Sequence, residues 1–184
     1  MPLFEKISLE GAQSGLSWLT ILRKREAYQK TFHGFDIDKV AAMAQEDVEQ
    51  IVAHTADNPR QMVVRHAGKI QAVIHNAKCI QTMRQETTDD DDDDVFDKFM
   101  WSFCNDQPIV NHWSGKKEDM QTMSPESEHM SKELKKWGFK FVGPTTCYAF
   151  MQSVGMIIDH PVGSNEYKAT LGRLQTRKGG YQER

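Results

Sequence analysis

The chain has no apolar run approaching the roughly 20 residues that a membrane-spanning helix needs, so it offers no candidate for crossing a bilayer. Its start lacks the basic, apolar and small-residue regions of a secretory signal, which gives no reason to expect export. Cysteine is scarce: Cys79, Cys104 and Cys147 are odd in number, far apart and without any CxxC spacing. That usage fits reduced thiols packed in a core rather than a disulfide framework. The expectation is an intracellular protein, in the cytoplasm or nucleoid, or in a nucleus or organelle if the source is eukaryotic. An excess of positive charge is also lacking. The net charge is -3 and the pI about 6.2, whereas nucleic-acid-binding domains often have a pI above about 9. The deficit is local, because the unbroken run Asp89 to Asp94 holds six acidic residues. Without it the remainder would carry +3. Like charges repel and cannot bury apolar area, so this run reads as part of a solvated, disordered loop over 86–95.

What is present is a helix-forming pattern spread over 184 residues. A chain of this length forms one domain that buries about 68–70% of its unfolded surface. Apolar spacing predicts amphipathic helices over 3–15, 18–32 and 46–54, and a long one from His66 to about Met83, where Ile70, Val73, Ile74, Ala77 and Ile80 form one stripe. Asp36 reads as an N-cap with Lys39 at N3, opening a short helix to Met43. Asp57-Asn58-Pro59 is a turn signal. Val95–Phe103 is helical and aromatic, and 105–122 irregular. Ser124-Pro125 opens a helix that ends at Gly138. Pro144–Gly155 is the last clear one, with Cys147, Met151, Val154 and Ile158 inward. No strand pair, repeat or domain boundary is evident. The expected organisation is therefore all-α: one helical domain over 1–166, then a polar, flexible tail over 167–184.

Three constellations could carry chemistry. Gly138-Phe139-Lys140-Phe141-Val142-Gly143-Pro144 joins two helices by a short turn with glycine at each end. A glycine at 143 permits close backbone approach, and the helix after it presents N–H groups and a positive dipole end, a site for a phosphate. Lys132, Lys135, Lys136 and Lys140 add charge. The alternative is a plain helical corner with solvated lysines. Second, on a wheel of 100° per residue Glu10 falls about 20° from Leu3, on the apolar stripe. A carboxylate there needs a partner: it lines a pocket, caps a neighbouring helix or pairs with a buried arginine. Third, Trp18, Trp101, Phe103 and Tyr148 are either core aromatics or stacking surfaces for an extruded base. Gly15-Leu16 reads as a simple helix break or as an apolar wedge in DNA. The acidic run leaves a protein-interaction scaffold open as a further class.

The ordered fragments do more than each alone. Leu9-Glu10-Gly11-Ala12-Gln13-Ser14-Gly15-Leu16-Ser17-Trp18, Leu22-Arg23-Lys24-Arg25-Glu26-Ala27-Tyr28, Gly68-Lys69-Ile70, Trp101-Ser102-Phe103, Gly138 to Gly143, Cys147-Tyr148, Phe150-Met151-Gln152 and Asp159-His160 together resemble the DNA-3-methyladenine glycosylase I family over roughly residues 3–160. The resemblance implies a fold of the helix-hairpin-helix glycosylase superfamily. It implies a base-excision repair hydrolase that acts on 3-methyladenine in alkylated double-stranded DNA, as a monomer, with no cofactor for catalysis. A DNA-binding module of the same family without base excision is the second reading. In the family, the residue matching Glu10 bonds the adenine edge, the one matching Trp18 lines the pocket, and the hairpin residues Phe139, Lys140, Phe141, Val142 and Gly143 bind DNA. No catalytic base is implied, and Asp159 reads as structural. The family also begins with a longer segment carrying a Cys, paired tyrosines, a His and Glu-Trp-Gly, which should already have ended at Met1. Its structural zinc takes a Cys and a His from that segment. Of the other two ligands His160 has a match, whereas Ser164 stands where a cysteine is expected, so no zinc site is expected here.

Overall fold

The computed structural model describes residues 3–87, 95–176 and 180–183. The Asp89–Asp94 run lies outside them. The described residues form a helical body around α1 (Leu3–Gln13). All ten residues from Leu3 to Ala12 are buried, because α1 packs on α9 (Pro144–Val154) on one side and on α6 (Ala67–Glu86) on another. A helix enclosed this completely must hold its polar side chains inside too. Each of its two carboxylates accordingly has a cation. Glu5 accepts from Arg25 Nε at 2.8 Å and from Gln29 Nε2 at 3.0 Å, and Glu10 pairs with Lys6.

Capping sets most of the boundaries. Asp36 accepts from the Lys39 N–H at 3.0 Å and starts α4 (Ile37–Ala41). Ser124 and Ser127 exchange bonds at the start of α8 (Pro125–Lys136), where Pro125 occupies the first turn. His66 caps α6 through Nδ1, and α5 runs Gln45–Ala53. α6 carries the expected stripe on to Met83 and packs against α4, α5 and α7 (Val95–Ser102). Side chains such as Ile21, Ile80, Met130 and Phe150 lie fully inside the resulting core, each burial worth about 1.5–3 kcal/mol.

Three local expectations are corrected. The helix expected over 18–32 is two helices, α2 (Trp18–Leu22) and α3 (Arg25–Thr31). The chain turns at Arg23–Lys24, the C-cap of α2 and the N-cap of α3, and the Lys24 ammonium there bonds the carbonyls of Pro59 and Met62. A small parallel sheet exists where none was read: β1 (Ile109–Val110) lies between β2 (Ile157–Ile158) and β3 (Gln182–Glu183). Ile158 is thus a strand residue. The polar tail contains a helix, α10 (Asn165–Gln175), capped by Ser164. Its Tyr167 and Leu174 are spaced two turns apart and close a second apolar cluster with Val110 and Ile158, which gives this polar segment a reason to dock.

Candidate functional site

The first centre is built on α1 and α2. Gly15, at φ 76°, lets the chain reverse after α1. Ser17 then caps α2 by accepting from the Thr20 N–H, so that Trp18 begins a helix that packs against α1. Glu10 is 5% exposed. Its Oε1 lies 3.1 Å from Lys6 Nζ, and that ammonium sits 4.0 Å from the centroid of the Trp18 ring. Burial pushes the Glu10 carboxyl above the usual glutamate range, and the Lys6 charge, with hydrogen bonds from Lys6 and Ser153, pulls it partly back. Glu10 is expected on an apolar stripe, and α1 is instead buried on every face from Leu3 to Ala12, Glu10 included. Its partner is a lysine one helical turn away, not an arginine.

The second centre is the turn between α8 and α9. Gly138 has φ 91°, a conformation that favours glycine. Phe139 is buried and stacked on Phe96 with centroids 6.0 Å apart. Buried Asn76 of α6 clamps the backbone of Lys140 on both sides, accepting from its N–H at 2.8 Å and donating to its carbonyl at 3.1 Å. His75 Nε2 lies 3.0 Å from the Gly138 carbonyl. The buried Ser131 hydroxyl donates to the Val142 carbonyl at 2.6 Å. Phe141 is held at φ 56°, uncommon for a bulky residue, with its ring partly exposed. Gly143 opens α9 with no side-chain cap, and Pro144 follows at the first helical position. Gly143 has φ −65° and ψ 161°, open to any residue, and a Cβ there would meet nothing within 4 Å. The glycine is therefore not required by the protein's own packing.

The two centres touch. A Cβ on Gly11 would lie 3.2 Å from Phe141 Cβ and 3.3 Å from its carbonyl oxygen. The residue after Glu10 is thus the point where α1 meets the hairpin. Lys69 fixes the other end of this arrangement, donating to the carbonyls of Ala12 at 2.9 Å and Ser14 at 2.6 Å. Leu16 and Leu19 stand exposed on the loop and helix beyond.

The remaining candidates separate. Trp101 and Phe103 pack against the main core, Phe103 edge-on to Phe99 and His129. Tyr148 donates to Asp159, and burial first, then the Asp159 carboxylate, raises its hydroxyl pKa. Asp159 also accepts from Asn111 Nδ2 at 2.6 Å and Gln152 Nε2 at 2.8 Å, and its backbone carbonyl accepts from Trp113 Nε1. With donors on both oxygens, Asp159 ties α9 to β1 and borders a cleft of about 250 Å3. His160 is half-buried, and the Ser164 hydroxyl is engaged with the Tyr167 N–H. A neutral serine hydroxyl is not among the N and S donors of a structural zinc site, and at position 164 it serves as the cap of α10 instead.

Sequence reasoning missed Lys6, Asn76 and Lys69. Two of them carried a signal. Lys6 stands four residues before Glu10, and Asn76 is a polar residue in step with Val73 and Ile80. Lys69 acts on carbonyls far along the chain, and nothing local announces that.

The described residues thus form a helical body in which α1 carries a buried carboxylate and abuts a clamped turn between two helices. Comparison with known proteins then gives the family. The profile described as methyladenine glycosylase matches residues 1–167. DNA-3-methyladenine glycosylase 1 of Escherichia coli is 48% identical over 161 residues, which span 88% of this chain and 79% of the relative. A crystal structure of 3-methyladenine DNA glycosylase I matches with a TM-score of 0.77 at 44% identity, covering 89% of this chain and 82% of that one. A structure of the Staphylococcus aureus enzyme, concerned with 3-methyladenine recognition, matches with a TM-score of 0.78 at 32% identity, over 90% and 81%. The chain belongs to the methyladenine glycosylase family.

Proposed function

We propose that this protein is a base-excision repair glycosylase that removes 3-methyladenine from alkylated double-stranded DNA inside the cell, acting as a monomer. The substrate's chemistry fits the first centre. Methylation at N3 makes the adenine nucleotide cationic and weakens its glycosidic bond. The enzyme has to extrude the nucleotide, which costs a few kcal/mol and least for a damaged base, and then hold a flat cation. Trp18 offers an aromatic face, worth about 1–3 kcal/mol per stacked base and attractive to positive charge. Glu10 accepts from the adenine edge and supplies the opposite charge. In the reaction the C1′–N9 bond breaks and its electron pair goes to the base, cancelling the base's charge. Water adds to C1′ and releases a proton. Asp159 is not assigned as the base for that water, since its oxygens already accept from Tyr148, Asn111 and Gln152.

The hairpin of Phe139, Lys140, Phe141, Val142 and Gly143 is read as the strand grip. The backbone at the start of α9 faces a phosphate, the helix dipole adds attraction, and Lys140 adds charge. Leu16, exposed beyond Gly15, is read as the apolar wedge that fills the gap left by the extruded base. The observation that carries the reading is the contact of Gly11 with Phe141, because it sets a buried carboxylate one residue from the strand grip. The test is chromatography of free bases after purified protein is incubated with methylated duplex DNA. Release of 3-methyladenine is expected. Duplex binding without release would instead make the chain a binding module.

A further inference from the structure

We propose that the Lys6 ammonium is the resident cation of the base site: it occupies the place between the Glu10 carboxylate and the Trp18 ring that a cationic base would take, and swings out to admit it. This rests on reading Glu10 and Trp18 as the base-recognition residues. The geometry supplies the argument. A site selective for a flat cation needs a carboxylate and an aromatic face within reach of one another. Both are engaged by the same ammonium, at 3.1 Å from Glu10 Oε1 and 4.0 Å from the Trp18 centroid. At that distance the ammonium and a purine cannot share the face. Lys6 is itself buried, at 9% exposure, so its charge is directed at this pair rather than at solvent.

Lysine suits an exchangeable occupant, because a compact charge on a flexible four-carbon stem can leave without moving the helix. The exchange conserves charge. An incoming cationic base leaves buried Glu10 paired, whereas a neutral purine that displaced Lys6 would leave the carboxylate with no cation, which is unfavourable. Lys6 therefore acts as a built-in competitor, and apparent affinity falls by the fraction of time it is in place.

The probe is the 3,9-dimethyladeninium cation, which carries the nucleoside's charge with a methyl in place of the sugar. Its Kd is measured by calorimetry for the wild-type protein and for Lys6→Met, Lys6→Arg and Glu10→Gln. Lys6→Gln serves as a second neutral variant should Lys6→Met fail to fold. The neutral Lys6 variant should bind roughly tenfold tighter, Lys6→Arg within about threefold of wild type, and Glu10→Gln at least about tenfold weaker. Unchanged affinity in the neutral variant would show that Lys6 does not compete. Weaker affinity would make Lys6 a direct contact of the ligand. Either result overturns the proposal. Loss of binding in Glu10→Gln with no gain in the Lys6 variant would sink the competitor alone. Absence of wild-type binding, or full binding by Glu10→Gln, would remove the recognition site itself and the competitor with it.

Discussion

Asn76 shows how much one side chain can hold. Its amide accepts from the Lys140 N–H and donates to the Lys140 carbonyl while itself 4% exposed. Truncation would leave two backbone groups of the hairpin without partners, in a place where water replaces them poorly. Asn76→Ala should therefore cost about 1–3 kcal/mol in urea denaturation and weaken duplex binding as well. A loss under about 0.5 kcal/mol would mean that the hairpin is held by its own turn. Residues of this kind are partly legible in a sequence. Glu10 stood out because a carboxylate on an apolar stripe needs a reason. Asn76 has the same signature on α6, a polar residue in step with Val73 and Ile80. Lys6 escaped because a lysine is usually solvated, and only the fold encloses α1 on several sides.

At the scale of elements, the hairpin separates a glycine the fold needs from one that it does not. Gly138 is demanded by its φ of 91°. Gly143 is demanded by nothing inside the protein, since its backbone is extended and a Cβ would meet open space. Gly143→Ala should thus leave stability within about 0.5 kcal/mol of wild type in thermal unfolding, while duplex affinity falls because the added methyl meets the phosphate. Equal loss in both would show that the glycine serves folding after all. Helix positions were readable wherever a cap and a stripe coincided, as at Asp36 with α4 and Ser124 with α8. Reading failed where long-range contacts decide. The break between α2 and α3 falls at Lys24, whose ammonium bonds carbonyls at Pro59 and Met62 that no local pattern announces. The two-residue strands exist only through pairing between distant positions, Ile109 with Ile157 and with Gln182, and α10 has just two buried anchors.

Over the whole molecule, the proposed base site and the proposed strand grip meet at α1: Glu10 is paired there with Lys6, and the next residue abuts Phe141. The family was legible because its fragments recur in order along the chain. The adjacency of the two centres was not, since positions 11 and 141 lie far apart and meet only when α1 packs between α6 and α9. The coupling has a pH signature. Glu10 attracts a cation only when ionised, so its contribution is present above its pKa and is lost as pH falls through it. Burial raises that pKa, which places the loss at a higher pH than for an ordinary glutamate. The direct measurement is single-turnover release of 3-methyladenine from methylated duplex by wild type and Glu10→Gln, from neutral to acidic pH. At neutral pH the variant should be slower by about 10–100-fold, the worth of a charge-assisted hydrogen bond, at unchanged duplex affinity. Wild type should fall toward it as pH drops, while the variant stays flat over the same window. Equal release rates at neutral pH would contradict the assignment of Glu10 to base recognition.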